Sequence, residues 1–336
     1  MGDWFTDFPI DSLPRAGGLL LLAALLDWMI GDPWHLYHPV QVIAVWINEF
    51  TRRVLGKNYS PKTERLAGVA LGISTIAGSA LVTWLIIQVA HQVYPLLGFA
   101  VEVIALASCF AGRSLRDAAW DVLDNLKKSG VEGGRSRLKL YVGRDTDNLN
   151  EAEILRATLE TVAENAIDGV LAPLFWAIAG AIVFGDFPGI VAAITMAYKA
   201  ISTLDSTVGY RRSPYTYIGW FSAQFEDRLT WIPCRLSVLT LALWSGKPER
   251  VWAIASKDGS QDPSPNSGWS EASYAAALGV QLGGENYYQG EKRIKPLLGS
   301  PDNPITVSTI RNALQLTRSA FLSWLLPGVL LTFLVR

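Results

Sequence analysis

Residues 66–101 contain no Asp, Glu, Lys or Arg, so an uninterrupted uncharged window separates Arg65 from Glu102. A membrane-crossing helix needs about 20 mostly apolar residues. The window therefore predicts one full span over 66–93, a turn at Tyr94-Pro95, and a second apolar segment over 96–112 that carries Glu102. Segments 169–185, 187–202 with Lys199 near its end, and 319–335 have the same character, and a shorter one over 16–31 carries Asp27. Six membrane segments follow from this pattern. A further stretch, 229–244, is interrupted early by Pro233 and Arg235. Because a charge at membrane depth is costly unless it faces a partner or cavity, this stretch reads as re-entrant or interfacial, with a true span as the alternative.

The polar stretches have a different period. Residues 151–168 place apolar and charged positions on opposite faces of a helix, with Asn148 or Asn150 as its cap, and run directly into the apolar segment at Gly169. Residues 256–304 are rich in Gly, Pro, Ser and Asn and read as loop, apart from a helix over about 270–280. No strand pattern stands out. The fold class is an all-α integral membrane protein, a multi-span helical bundle with long cytoplasmic loops and helices, organised as a single membrane-embedded domain over 1–336.

Charge sets the orientation. The connections 32–65, 113–168 and 203–228 hold most of the Lys and Arg, among them Arg52, Arg53, Arg113, Arg116, Arg135, Arg137, Arg212 and Arg228, and an excess of cations marks the cytoplasmic side. The start carries Asp3, Asp7 and Asp11 against Arg15, which reads as a non-cytoplasmic tail rather than a cleaved signal. Only 18% of residues are charged while 50% are hydrophobic, and 13 are Trp, a residue that gathers at membrane interfaces. A net charge of −1 gives no global attraction for nucleic acid, and two Cys, Cys109 and Cys234, exclude a disulfide framework or a multi-Cys metal centre.

Against so apolar a background the remaining polar groups carry the candidate chemistry. Arg156, Glu160, Glu164 and Asp168 are spaced four apart, which stacks them on one helix face. Three carboxylates so placed repel unless cations or a metal sit among them; a Mg²⁺ site is one reading and a solvated face with an Arg156–Glu160 pair the other. Upstream, Gly143-Arg144-Asp145-Thr146-Asp147 is turn-like: Arg144 suits phosphate or carboxylate, and Asp145 or Asp147 could join the acidic stripe as metal ligands, or the cluster is a capped turn. Asp27, Asp32, His35 and His38 mark the exit from the first segment, where interfacial anchoring is the default and a histidine metal site is disfavoured. Lys199, Asp205, Arg211 and Arg212 combine cations, a carboxylate and hydroxyls suited to a phosphate group, or form a plain basic flank. Finally, Pro263-Ser264-Pro265-Asn266-Ser267-Gly268-Trp269-Ser270-Glu271 sets a rigid turn before a helix. No Walker-type, dinucleotide-binding or nucleophile-elbow motif occurs.

In order and spacing, LLDWMIGDPWHLYHPVQ, GRDTDNL, ATLETVAENAIDGVLAPLFWAIAG, AYKAISTLDSTVGYR, IGWFSAQFEDRLTWIPCRL and PSPNSGWSEASYAAALGVQLGGENYYQG resemble the adenosylcobinamide-phosphate synthase (CobD/CbiB) family of cobalamin biosynthesis over nearly the whole chain. The resemblance implies an ATP- and Mg²⁺-dependent ligase at the cytoplasmic side of the cell membrane. It would join a carboxylate of adenosylcobyric acid, a corrinoid, to (R)-1-amino-2-propanol or its O-phosphate. It also implies lipid and possible further corrinoid-assembly enzymes as partners. The candidate roles follow the chemistry of the matching residues. Glu160, Glu164, Asp168, Asn165 and Glu271 are placed at the catalytic centre. Asp32, His38, Arg144, Lys199, Asp205, Arg211, Ser264 and Asn266 bind substrate or phosphate, and Asp145, Glu164 and Asp168 bind the metal. The chain departs from the family in having Asp262 where a His usually precedes PSPN, Ser202 where Asn precedes TLDS, and Thr207 where Met is usual. A transporter with Asp27, Glu102 and Lys199 along a polar path, or a non-catalytic membrane sensor, are the competing readings.

Overall fold

The computed structural model describes residues 15–32, 38–57, 59–185, 187–210 and 212–335. The acidic start, His35 and Arg211 lie outside them. Twelve α-helices and one hairpin follow in chain order: α1 (Arg15–Met29), α2 (Pro39–Leu55), α3 (Pro61–Val93), α4 (Pro95–Ala107), α5 (Gly112–Leu138), α6 (Glu151–Asn165), a π-helical turn (Ala166–Leu171), α7 (Ala172–Phe184), α8 (Ile190–Val208), α9 (Trp220–Trp244), α10 (Pro248–Asp258), α11 (Pro265–Leu278), β1 (Gln281–Tyr288), β2 (Glu291–Gly299) and α12 (Val307–Leu334). The protein is a multi-span helical membrane bundle. Among the described residues three helices are long and apolar enough to cross a membrane: α3 (mean hydropathy 1.9), the run Glu151–Phe184 (2.0) and α12 (1.3). The bent pair α4 and α5, 41° apart, makes a fourth if it is one span. The expected segments 16–31 and 187–202 fall on the 15-residue α1 and the 19-residue α8, and 229–244 is the latter part of α9.

The chain divides into two compact units, neither contiguous: 1–110, 173–223 and 324–336 form the first, and 111–172 and 224–323 the second. In the first, α3 packs on α2, α4 and α8, and α1 on α4. The outward side of α3 exposes Leu66, Ile73, Leu81, Leu85, Val89 and Val93, the apolar face a lipid-embedded helix presents. Gly68 lets the backbone of Ile218 come so close that a β-carbon there would lie 2.1 Å from the Ile218 carbonyl oxygen. The charge on Glu102 is fully buried and paired with Arg15, whose guanidinium also covers the Phe99 ring at 5.6 Å. That partner explains how a carboxylate persists within so apolar a segment.

In the second unit, α6 packs on α5 and α11, and α11 also meets α10 and both strands. Small residues make this possible: Gly268, Ser270, Ala272, Ser273, Ala275, Ala276 and Ala277 are all buried, so α11 is closely approached on several sides. Ser270 Oγ donates to the Ala163 carbonyl of α6 at 2.6 Å, and Tyr274 OH lies 2.6 Å from Thr317 Oγ1 on α12. Helix α11 starts at Pro265, five residues before the expected 270, because Ser264 caps it and Pro265 occupies its first turn.

Two sequence expectations are corrected. Residues 281–299, expected as loop, form an antiparallel hairpin with a bulge between Leu282 and Gly284. Its strands, QLGGENYY and EKRIKPLLG, carry paired glycines, charges and a proline, so intrinsic strand preference is weak and tertiary contacts decide. The helix expected over 151–168 begins as foreseen, with Asn150 and Glu153 forming a reciprocal capping box, but ends at Asn165. The next six residues take the wider π-helical turn, so Asp168 does not continue the α-helical spacing of Glu160 and Glu164.

Candidate active site

The second unit gathers its buried charge where α6, α11 and the hairpin meet. Two-stranded sheets leave open edges, and the outer edge of β1 has no third strand. Side chains replace it. Arg156 on α6 donates to the carbonyls of Gly283 and, at 2.9 Å, Glu285, while Glu160 Oε1 accepts from Gly283 N at 2.9 Å. Asp145 N donates to the Tyr287 carbonyl at 2.8 Å. Residues 283, 285 and 287 share this edge by the two-residue period of a strand. Gly283 is required here: its φ is +85°, and a β-carbon would lie 1.9 Å from the Pro296 carbonyl oxygen.

Glu160, 1% exposed, joins the network from inside. Oε2 pairs with Arg144 at 2.6 Å and Oε1 lies 3.5 Å from Arg156. Asn286 Oδ1 accepts from Arg144 at 2.7 Å and from Arg156 at 3.4 Å. Burial alone would lower the Arg144 pKa, but the charge and hydrogen bond of Glu160 outweigh it and hold the guanidinium protonated. Glu160 thus fastens the hairpin to α6: Oε1 accepts the strand amide, and Oε2 is ion-paired with Arg144 without a hydrogen bond.

Glu271 is disposed differently. It is completely buried in the first turns of α11. Oε1 accepts from Lys295 Nζ and from Ser267 Oγ, each at 3.1 Å, while buried Oε2 has no hydrogen-bond partner. Burial pushes its pKa up to about 8; Lys295 opposes this, and the charges of Glu160 and Glu164 reinforce it. Lys295 on β2 is held protonated. Burial would lower its pKa, but Glu271, Glu164, Glu160 and Asp262 together raise it. A carboxyl poised near neutrality with one open oxygen can exchange a proton with a ligand.

The remaining candidates have defined places. Asn266 fastens α11 to α9: Oδ1 accepts from Arg235 at 2.7 Å and Nδ2 donates to the Asp227 carbonyl at 2.8 Å. Arg235 lies over the Trp269 ring at 4.4 Å and the Trp231 ring at 5.2 Å. Cation–π contacts of about 2 kcal/mol and a charged hydrogen bond of about 1.5–3 kcal/mol offset the desolvation of its guanidinium. Ser264 caps α11, and its own N–H donates to Asp262 Oδ1 at 2.8 Å. Asn165 Nδ2 donates to Thr161 of its own helix at 2.9 Å, and Asp168 sits half-buried in the π-helical turn. Asp145 is taken up by the hairpin turn, accepting from Gln289 N at 3.1 Å and Gly290 N at 2.7 Å. In the first unit, His38 caps α2 and its Nε2 lies 3.2 Å from Asp32 Oδ1, while Lys199 and Asp205 lie on α8.

Among the described residues no group of three or more His, Cys, Asp or Glu comes together to hold a metal. With Asp145 committed to the turn and Glu160 to two arginines, the residues do not fit a protein-built metal centre. A cavity of about 540 Å³ in the first unit is lined mostly by apolar residues such as Val42, Trp46, Val82, Ile86 and Met196, and Asp27, Glu102 and Lys199 are not among its lining residues.

Sequence reasoning missed Lys295 and Asn286, because both lie on strands whose pattern was not legible. The one local signal was Gly283-Gly284, two adjacent residues suited to a bulge.

Comparison with known proteins agrees with the sequence resemblance. Residues 20–317 match the family model described as CobD/Cbib protein. The cobalamin biosynthesis protein CobD of Synechocystis sp. is 50% identical over 325 residues, covering 96% of this chain and 92% of the relative. The cobalamin biosynthesis protein CbiB of Salmonella typhimurium is 39% identical, covering 88% and 91%, and CobD of Geobacter metallireducens is 38% identical, covering 96% and 99%. No solved structure matches. A match over nearly the full length of both chains, with the GRDTD, ENAIDG and PSPNSGW motifs in place, makes this protein a member of the CobD/CbiB family.

Proposed function

We propose that this protein is an ATP- and Mg²⁺-dependent carbon–nitrogen ligase of cobalamin biosynthesis. It joins a propionate carboxylate of adenosylcobyric acid to (R)-1-amino-2-propanol or its O-phosphate, at the cytoplasmic side of the cell membrane. The observation that carries the reading is Glu271, a buried carboxyl with one engaged and one open oxygen beside a fixed cation. The relatives' names, all cobalamin biosynthesis proteins, supply the substrate class.

Amide formation needs two things from a protein. The carboxylate must gain a leaving group, which the nucleotide supplies as a phosphoryl group, with Mg²⁺ carried on its phosphates. The amine, an ammonium ion near neutral pH, must lose a proton before its nitrogen can attack. Glu271 Oε2 accepts that proton; the C–N bond forms as the C–O bond to phosphate breaks and phosphate leaves. A base near the working pH serves best, and burial puts Glu271 there. Glu164, exposed on the neighbouring turn of α6, and Asp168 line the same stretch of chain. Asp32, His38, Lys199, Asp205 and Arg211 are proposed as substrate or phosphate contacts, to be tested by the KM of single substitutions.

The direct test incubates the purified protein with adenosylcobyric acid, aminopropanol or its phosphate, ATP and Mg²⁺, and follows the amide by mass spectrometry. Amide formation that requires both ATP and Mg²⁺, and is lost in Glu271→Gln, is expected. Folded protein that forms no amide would sink the reading.

A further inference from the structure

The hairpin brings to the site a cation to which the ligase reading assigns no step. Lys295 lies on β2 opposite Gly284, next to the bulge, and its Nζ touches Glu271 Oε1. Its side chain is 27% exposed. Several other charges lie near this pair. Helix α6 contributes Glu160 and Glu164, and the segment before it contributes Arg144. The residues before α11 contribute Asp262, while Asp258 of α10 accepts from Gly299 N at 3.0 Å. Glu160 is already neutralised by Arg144 and Arg156. Among the described residues Lys295 is the cation that contacts Glu271 directly.

We propose that Lys295 is a positioning residue for Glu271: with Ser267 it occupies Oε1, leaves the buried Oε2 as the one unpartnered oxygen of the carboxyl, and favours the carboxylate over the acid. The proposal rests on the reading of Glu271 as the base for the amine. Lys295 cannot serve as that base itself, since four carboxyl groups hold its proton. Its charge favours carboxylate over carboxylic acid at Glu271, against burial and two like charges. The hairpin bulge sets which residue of β2 faces α11, so the Glu160–Gly283 contact and the Lys295–Glu271 contact belong to one register.

The experiment uses the full chain in lipid nanodiscs. Amide formation is measured against pH for wild type, Lys295→Met, Lys295→Arg and Ser267→Ala. Separately, an infrared pH titration follows the Glu271 carboxyl C=O band, identified by its absence in Glu271→Gln. Removing the cation should move the rising limb of kcat towards alkaline pH by about 1 unit or more, with activity recovering beyond it and the infrared midpoint moving equally. Lys295→Arg should keep the wild-type limb, and Ser267→Ala should move it less, in the same direction. A uniform fall in kcat with an unmoved limb and midpoint, as a purely structural lysine would give, overturns the proposal. If Lys295→Met does not fold, an unmoved limb in Ser267→Ala together with a displaced one in Lys295→Arg overturns it as well. A moving infrared midpoint in protein that forms no amide supports the Lys295–Glu271 coupling and sinks the ligase reading instead.

Discussion

The two units of the chain handle buried polar groups in opposite ways. In the first, buried Glu102 is paired with Arg15 and His38 lies beside Asp32, and hydroxyls such as those of Ser74 and Thr75 bond back to Leu71 of their own helix. Its cavity is apolar. In the second, single groups serve several elements: Glu160 holds two arginines and a strand amide, and Lys295 on the hairpin pairs with Glu271 on α11. A hydrogen bond inside one helix satisfies a donor without fixing a neighbour, whereas a bond across elements fixes geometry. The first arrangement suits a membrane scaffold and the second a site where side chains must be held in place.

That contrast can be broken by substitution. Glu160→Leu leaves Arg144 and Arg156 buried without their carboxylate and should cost about 3–5 kcal/mol, read as a large drop in the thermal melting of the detergent-solubilised protein. A near-normal melt would show that the network does not hold the hairpin. Gly283→Ala forces a positive φ and a clash with the Pro296 carbonyl, and should cost about 1–3 kcal/mol; Gly284→Ala, whose β-carbon has only ordinary contacts, should cost less. Equal losses would remove the special role of the bulge.

The isolated pair of the first unit should behave otherwise. Arg15→Leu alone strands the Glu102 charge, but the double substitution with Glu102→Leu should return stability to within about 1 kcal/mol of wild type. Failure of that rescue would mean the pair belongs to a wider network. The pH response sharpens the contrast more gently. Glu271 has its pKa raised from the ordinary 4.5 to about 8 in the folded state. Its contribution to stability is therefore present below about pH 4.5 and lost as pH rises through about 8. Glu271→Gln should flatten that part of the melting-temperature profile. Last, a thiol label on Glu291→Cys, at the exposed hairpin end, should react from the cytoplasmic side alone; the native cysteines, Cys109 and Cys234, are buried. Labelling only from outside would overturn the orientation.

Much of the fold was legible because membrane helices and capped amphipathic helices write themselves locally. The uncharged window at 66–101 became α3 and most of α4, and Asn150 with Glu153 marked the start of α6. The site was legible only in part. Glu160, Arg144 and Glu271 were singled out by type and spacing, and the structure brings them together. Asp145 and Ser264 were singled out as well, yet their side chains cap turns. Spacing cannot tell a carboxylate that satisfies backbone amides from one open to a ligand. Lys295 and Asn286 were invisible because their strands depend on tertiary contacts, with α10 and α11 just upstream and with α6, about 130 positions away.

The sequence by itself determined that this chain is a helical membrane protein of the CobD/CbiB family, because hydrophobic length and motif order are properties of the chain. Only the tertiary structure decided which charges surround each buried carboxyl. Glu160 and Glu271 have the same side chain and comparable burial. One is surrounded by two guanidinium groups and an amide, the other by one ammonium and one hydroxyl. That difference in neighbours, set by how the hairpin docks, separates a fastening from the proposed base.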